Sequence, residues 1–192
     1  YALDKIADGT VNDGDEIRVM ATGNYTISST LNPNFDKKEV TITGANASGE
    51  VDGTQAVLIG AVGGSSPMLE FEATEGERLV FAHLHFDAND NSENCVISAT
   101  DNNYIHFINC RFSQATDEGV VWTGNNNWDF LYCRFDNCAG SGLKMDALSY
   151  GIGYRSLFDN NGAHGCDSAT LNGFRHKWME CVFYNNATDG MD

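Results

Sequence analysis

The sequence lacks the features that divide a chain into domains or place it in a membrane. Its 192 residues include only 2 prolines and no Pro-rich or highly charged tract that would mark a linker, so residues 1–192 are predicted to form one domain. No apolar run reaches the roughly 18 residues that a membrane-spanning helix needs. The chain opens at Tyr1 without a signal-like stretch, as in a mature or trimmed product.

Basic residues are also scarce. There are 11 Lys and Arg against 27 Asp and Glu, and the formal net charge is -16. Such a surface repels phosphate groups, so nucleic acid is excluded as a partner. The acidic surface suits salty or Ca-rich surroundings, and it equally suits a protein that is simply well solvated.

Helical periodicity is missing, but the chain repeats itself. No ten-residue run has a period of 3.6 and no Leu-x-x-Leu-x-Leu consensus occurs, which excludes helical solenoids and leucine-rich repeats. Phe-Ile-Asn-Cys-Arg-Phe (107–112) and Phe-Leu-Tyr-Cys-Arg-Phe (130–135) are near copies, with weaker copies on both sides. The copies end at Phe86, Phe112, Phe135, Phe158 and Phe183. The steps of 26, 23, 23 and 25 residues predict stacked single-turn units, that is, a solenoid.

Two further columns support this register. A glycine follows seven residues after four of these phenylalanines, at Gly119, Gly142, Gly165 and Gly190. Two residues after each phenylalanine the sequence reads Ala88, Gln114, Asn137, Asn160 and Asn185, and Asn161 and Asn186 come next. Asn tolerates the left-handed backbone of a tight turn, and amides in register can form hydrogen-bonded ladders between coils.

Alternation within each copy predicts β-strands. The final Phe and the residues two and four positions before it are predicted to point inward, and the residues between them outward. A second short strand is expected after each glycine, at 120–122, 143–145 and 166–168. We predict an all-β, single-stranded, right-handed parallel β-helix of about six or seven coils, with a cap region at 1–16 and the clearest repeats at 79–192.

The first third of the chain carries a family resemblance. Short segments bounded by Gly or Asn occur at 13–19, 23–27, 39–44 and 56–60. Their D-G-D-x-I-x-V, G-x-Y and V-T-I-x-G elements resemble the N-terminal coils of the pectate lyase-like superfamily of right-handed parallel β-helices, and the later x-F-x-x-C-x-F-x-N copies resemble its generic coil. This superfamily includes polysaccharide lyases, glycosidases and phage tailspikes. Its catalytic signatures are absent, and only Gly162-Ala-His-Gly165 partly matches one of them, so the resemblance implies architecture alone.

The six cysteines belong to the predicted core. Cys110, Cys133 and Cys181 share one inward column with Ser156 in the gap, and Cys166 is inward on the second strand. Buried reduced thiols are the main interpretation, and a disulfide between Cys110 and Cys133 is the alternative. The spacings match no zinc or haem motif.

Stacking brings residues about 23 apart together and predicts a polar patch. One outward column reads Val121, Lys144, Asp167, Asp192, and a turn column beside it reads Glu118, Ser141, His164, Asp189. The candidate catalytic residues are Lys144, His164, Asp167, Asp189 and Asp192. Paired carboxylates can serve as acid and base on a glycosidic bond, or Asp167 and Asp192 can hold Ca²⁺, the only cofactor that this chemistry invites. The alternative is an ordinary solvated face.

A second candidate surface is aromatic. Its residues are predicted to face outward: Phe107, Phe130, Tyr132, Arg134, Arg155 and Trp178. Aromatic side chains next to Arg line both sugar sites and protein interfaces. The third alternative is that a loop at 60–78 or 169–177 covers this column and makes it core.

These two surfaces lead to two hypotheses about the function of the chain. The first is a surface-exposed or secreted module that recognises, and in an enzyme cleaves, polysaccharide. The second is a structural assembly module of a fibre, virion or extracellular filament. Both place the chain outside the cell, at a cell surface or on a virion. The sequence stops inside a predicted strand at Gly190-Met-Asp192, so we expect a longer solenoid, a homo-oligomer or a partner chain that covers this coil.

Overall fold

The computed structural model is a parallel β-solenoid of about six turns. The residues that it describes are 12–32, 39–71, 78–98, 104–123, 127–145, 150–168 and 175–192. Within these ranges the chain forms nineteen strands and no helix, and therefore no helix that could cross a membrane. The predicted all-β solenoid is confirmed, while residues 1–11 of the predicted cap lie outside the described ranges.

Three sheets of seven, seven and five strands run along the solenoid. Successive strands belong to them in turn, except that the first and last coils join the third sheet only through isolated bridges, Leu31 to Leu69 and Met191 to Cys166. The first sheet contains β1 (Glu16–Met20), β3 (Glu39–Ala45), β6 (Arg78–Ala82), β9 (Tyr104–Ile108), β12 (Asn127–Leu131), β15 (Tyr150–Tyr154) and β18 (Arg175–Met179). The second sheet contains β2 (Asn24–Ile27), β4 (Ala56–Gly60), β7 (Leu84–Asp87), β10 (Arg111–Ser113), β13 (Arg134–Asp136), β16 (Leu157–Asp159) and β19 (Val182–Tyr184). The third sheet contains β5 (Leu69–Phe71), β8 (Val96–Ser98), β11 (Val120–Trp122), β14 (Leu143–Met145) and β17 (Cys166–Asp167).

The predicted repeat register is confirmed by strand pairing. In the second sheet each repeat-ending phenylalanine is the partner of the next one, from Phe86 to Phe183. Their rings stack with centroid separations of 5.4, 5.0, 4.5 and 4.8 Å. The first four members are buried and the last is partly buried. The column therefore forms one side of a continuous core.

Phe107 and Phe130 were predicted to face outward, and this is wrong. Both are fully buried, at 0% exposure, and they stack on each other at 5.2 Å. The reason is a single residue with positive φ between the first and second strands of each coil from β6 onward, such as Asn109 (φ 51°) and Tyr132 (φ 59°). A left-handed residue turns the chain and restarts the alternation, so the phenylalanines on both sides of it point inward. No covering loop is needed to bury them.

Trp178 is likewise directed into the core. It is partly buried, and its indole fills the space beside Gly153, where a Cβ atom would lie 2.1 Å from Cε3 of the ring. Gly153 stands in the column of Phe107 and Phe130. The missing side chain is thus replaced by an indole from the next coil.

The amide and glycine columns behave as predicted. Gln114, Asn137, Asn160 and Asn185 all have positive φ. Asn185 Nδ2 donates to Asn160 Oδ1 at 2.6 Å and so links two coils, whereas the Asn137 and Asn160 amides donate to Asp136 and Asp159 of their own coils. A Cβ on Gly142 would lie 2.8 Å from the Gly165 carbonyl oxygen, so glycine permits this close approach of adjacent coils.

All six cysteines are free, and five are buried, which confirms the interpretation as reduced thiols. Cys110 donates to the Phe81 carbonyl at 3.4 Å and Cys133 to the Phe107 carbonyl at 3.3 Å. Ser156 fills the gap in this column and donates to the Phe130 carbonyl at 3.0 Å. Burial raises the pKa of Cys110 to about 12, so these thiols are held in the protonated, unreactive form.

Candidate functional site

The predicted polar column is assembled in the third sheet. Lys144 of β14 is the register partner of Asp167 in β17. Met191 bridges Cys166, and the Asp192 amide donates to the Cys166 carbonyl at 3.0 Å, so Asp192 follows Asp167 in the column. The predicted order of the column is therefore confirmed for the backbone.

The contacts within this patch centre on Glu118. Lys144 Nζ lies 3.2 Å from Glu118 Oε1, whose side chain is only 12% exposed. Burial raises the pKa of Glu118, a hydrogen bond and the charge of neighbouring Asp117 raise it further, and Lys144 opposes the shift. Carboxylate crowding was expected among the selected aspartates, whereas the structure shows it between Asp117 and Glu118. Glu118 was noticed in the turn column, but Asp117 was not.

The remaining selected residues lie around this pair. His164 is half-buried, its backbone carbonyl accepts the Gly142 amide, and its Nδ1 is buried without a hydrogen-bond partner among the described residues. Asp189 and Asp192 are exposed. No three His, Cys, Asp or Glu side chains in the described ranges are grouped closely enough to hold a metal ion. The patch is thus a carboxylate pair with one ammonium rather than a ready-made metal site.

Tyr132, Arg134 and Arg155 of the predicted aromatic surface do lie at the surface. Tyr132 is 50% exposed and contacts the Tyr154 ring edge to face at 5.5 Å. Arg155 lies 5.1 Å from the centre of that same ring. Arg134 donates to the largely buried Asp159 through two nitrogens, at 3.1 and 2.8 Å. Arg134 is therefore engaged in an ion pair of the second sheet, and Tyr132 and Arg155 form a small corner cluster.

The outer face of the first sheet contains a groove that the sequence analysis did not find. Its volume is about 330 Å³. We call it the tyrosine groove, and its lining residues are Tyr104, His106, Asn127, Trp128, Asp129, Tyr150, Gly151, Ile152 and Lys177. Tyr104 and Tyr150 are 51% and 49% exposed, which leaves much of each side chain accessible to solvent.

Strand register arranges the groove in two rows. Tyr104, Asn127 and Tyr150 occupy consecutive coils in one row. The second row, two residues further along each strand, contains His106, Asp129, Ile152 and Lys177. His106 Nδ1 and Asp129 Oδ2 are 2.8 Å apart, which fixes the orientation of the imidazole ring.

Gly151 shapes the floor of the groove. A Cβ atom there would lie 2.3 Å from Cδ2 of Trp128, because the buried indole occupies that space. The floor is thus the backbone at Gly151 with the buried Trp128 indole packed against it. A larger residue at 151 would displace the indole.

The groove escaped prediction because the phase of the first sheet was assigned incorrectly. Because Phe107 points inward, the alternate residues of β9 are exposed or partly exposed, namely Tyr104, His106 and Ile108. Residues 23 apart, such as Tyr104, Asn127 and Tyr150, then fall in one row. The missing signal was the position of the left-handed corner.

Comparisons with known proteins support the fold alone. No protein-family model and no curated protein matches the sequence. Among solved structures, the chain is similar to ORF18 of Geobacillus virus E2, with a TM-score of 0.50 and 12% identity. The alignment covers 100% of this chain and 57% of the viral protein, so the chain spans little more than half the length of that protein.

Proposed function

We propose that this chain is a carbohydrate-recognising β-solenoid module and that the glycan binds in the tyrosine groove. The observation that carries the proposal is the groove itself, which combines two exposed tyrosines with the polar side chains of Asn127, His106 and Asp129. Apolar sugar faces stack on aromatic rings, while hydroxyl groups need fixed donors and acceptors beside them. The groove offers both on one rigid sheet.

The setting of the module follows from the same reasoning. The structural similarity to a viral protein fits a module at a virion or other extracellular surface. The formal net charge of -16 suits a protein that must stay well solvated there. The groove lies on the outer face of the first sheet, which is therefore the face proposed to meet the polymer.

A glycan-binding screen with groove variants tests the proposal. Tyr104→Ala and Tyr150→Ala each remove an exposed ring and should weaken binding at least about tenfold, close to the full value of one aromatic contact. Tyr132→Ala is the matched control, because Tyr132 is equally exposed but lies outside the groove. Unchanged binding in both groove variants, or no bound glycan at all, would contradict the proposal.

Exposed apolar side chains of the second sheet favour the rival function, an assembly module. Val182 and Tyr184 of β19 are both exposed and suit a contact with a second copy or a partner chain. Sedimentation of the wild type and of Tyr184→Asp distinguishes the two. Assembly that is lost in the variant, together with an absence of glycan binding, would favour the structural role.

Catalysis at the Glu118 patch is a separate proposal that the raised pKa of Glu118 favours. A general acid must hold its proton near neutral pH. Lys144 contacts Glu118, and Asp167 is the register partner of Lys144 on the next coil. Glu118→Gln and Asp167→Asn should abolish turnover of a bound polysaccharide, with Tyr132→Ala as the control. A Ca²⁺ ion at Asp167 and Asp192 would take further ligands from water or polymer, and loss of turnover on chelation would reveal it.

A further inference from the structure

Accepting glycan binding in the tyrosine groove, we infer that its ligand is an uncharged polysaccharide whose extended chain lies along the solenoid axis, with one sugar residue per coil. The inference therefore rests on the proposed function and adds the chain direction, the number of sugars in contact and the charge class of the polymer.

The direction follows from the spacing of the tyrosines. Tyr104, Asn127 and Tyr150 are register partners on three consecutive coils. Parallel strands lie about 4.8 Å apart, and one pyranose residue of an extended chain advances by roughly the same length. A chain along the axis therefore places one sugar on each coil. Tyr104 and Tyr150 then meet the first and third sugars, and Asn127, which lines the groove between them, meets the second.

The neighbouring row of the groove matches the same spacing. His106 and Asp129 are register partners one coil apart, and their 2.8 Å hydrogen bond holds both side chains in place. Their remaining donor and acceptor positions suit sugar hydroxyl groups rather than a flat apolar ligand. A polysaccharide that ran perpendicular to the solenoid axis would meet only one tyrosine, because the two rings lie in one row along that axis.

The charge class follows from the electrostatics of the groove. Lys177 is the lining cation and Asp129 the lining anion, and Asp129 is also bound to His106. The lining charges nearly balance, while the molecule as a whole carries a formal charge of -16. Arg78, the register partner of Tyr104, is paired with Glu39 at 3.2 Å. Among the described lining residues no cationic row offsets the overall field, so an acidic polymer is repelled.

Binding of two oligosaccharide series tests the inference. Neutral oligosaccharides of one to six residues, chosen from a glycan screen, are titrated against the intact chain beside uronic-acid oligosaccharides of equal length. The affinity for the neutral series should rise at least about tenfold from the disaccharide to the trisaccharide, which first reaches both tyrosines, and level off beyond it. Uronates should bind at least about tenfold more weakly at low salt, and the gap should narrow at high salt.

Each outcome has a distinct meaning. Tighter binding of uronates at low salt, or equal affinity of disaccharide and trisaccharide, would overturn this inference while leaving glycan binding intact. No binding by either series would overturn the proposed function.

Discussion

At the residue scale, the distance between coils depends on positions where no side chain fits. Gly142 is buried, and a Cβ atom there would lie 2.8 Å from a backbone carbonyl and 2.9 Å from Cβ of Phe135. Neither neighbour is the flexible end of a side chain. The coils can therefore accept another residue only by moving apart.

Gly142→Ala should lower the stability by about 1–3 kcal/mol, the usual cost of overpacking a core. Gly23→Ala is the matched control, because nothing lies within 4 Å of the added methyl group and Gly23 has no positive φ. Thermal unfolding of both variants checks the prediction. Equal midpoints for the two would show that the coils tolerate the added atom.

Phe135→Ala should cost about 3–5 kcal/mol, because Phe135 is fully buried and stacks on rings from both neighbouring coils. Tyr132→Ala, three residues earlier, removes a half-exposed ring and should cost far less. The two substitutions delete aromatic groups of similar size from the same coil. Denaturant unfolding that gives equal losses would contradict the assignment of the core.

Glu118→Gln should stabilise the protein at neutral pH. The pKa of Glu118 is raised in the folded state, so folding favours its protonated form and ionisation above that pKa costs stability. The neutral amide avoids this cost, although it gives up the ion pair with Lys144. The gain should disappear below the unfolded pKa of about 4.3, where both forms are uncharged. A gain that grows on acidification would contradict the sign of the shift.

At the element scale, the corners between strands determine which side chains face the core. From β6 onward each coil has one left-handed residue after its first strand, and from β9 onward one after its second. The second corner uses Asn in three coils but Gln114 (φ 57°) in another. A side chain other than Gly or Asn is strained in this conformation by about 1–2 kcal/mol.

Gln114→Asn should therefore raise the thermal midpoint slightly, by the equivalent of roughly 0.5 kcal/mol, since Asn tolerates positive φ better. Gln114→Val should lower it, because a β-branched side chain is most strained there. The opposite signs at one site identify backbone conformation as the cause. Two changes of the same sign would point to lost side-chain contacts instead.

These corners also explain how far the sequence predicts the structure. The Phe and Gly columns and the amide corner at Asn137, Asn160 and Asn185 were readable, because each uses a residue type with a specific backbone or packing role. The corner between the first and second strands could not be predicted, since Tyr132, Arg155 and Glu180 are not residue types that favour positive φ. Because this corner was not predicted, the inward and outward faces of the first sheet were assigned in reverse. The burial of Phe107 and Phe130 and the groove were therefore not predicted either.

At the scale of the whole molecule, the excess of acidic residues acts on every coil. The charge of -16 in 192 residues produces self-repulsion that favours expansion. Salt screens this repulsion over a Debye length of about 10 Å at 0.1 M. The partly buried pair of Arg111 and Asp136 is screened less, because the Asp136 side chain is fully covered.

The thermal midpoint should rise by a few degrees between about 0.01 M and 0.15 M NaCl, since screening weakens the repulsion more than the ion pairs. Sucrose at equal osmolality is the control, because it leaves charges unscreened. Differential scanning calorimetry measures the shift. A midpoint that falls with salt would show that ion pairs, rather than net repulsion, dominate the electrostatic stability.

Because one sequence repeat forms one coil, the number of repeats in the sequence determines the length of the solenoid. The rows of the groove advance by one strand for every 23 residues between Tyr104 and Tyr150. A tandem duplication of one 23-residue step would carry its own phenylalanine, glycine and corner amide, so the added coil would bring its core with it. Such an event would lengthen the proposed glycan contact by one sugar, and the length of the ligand would evolve in whole steps.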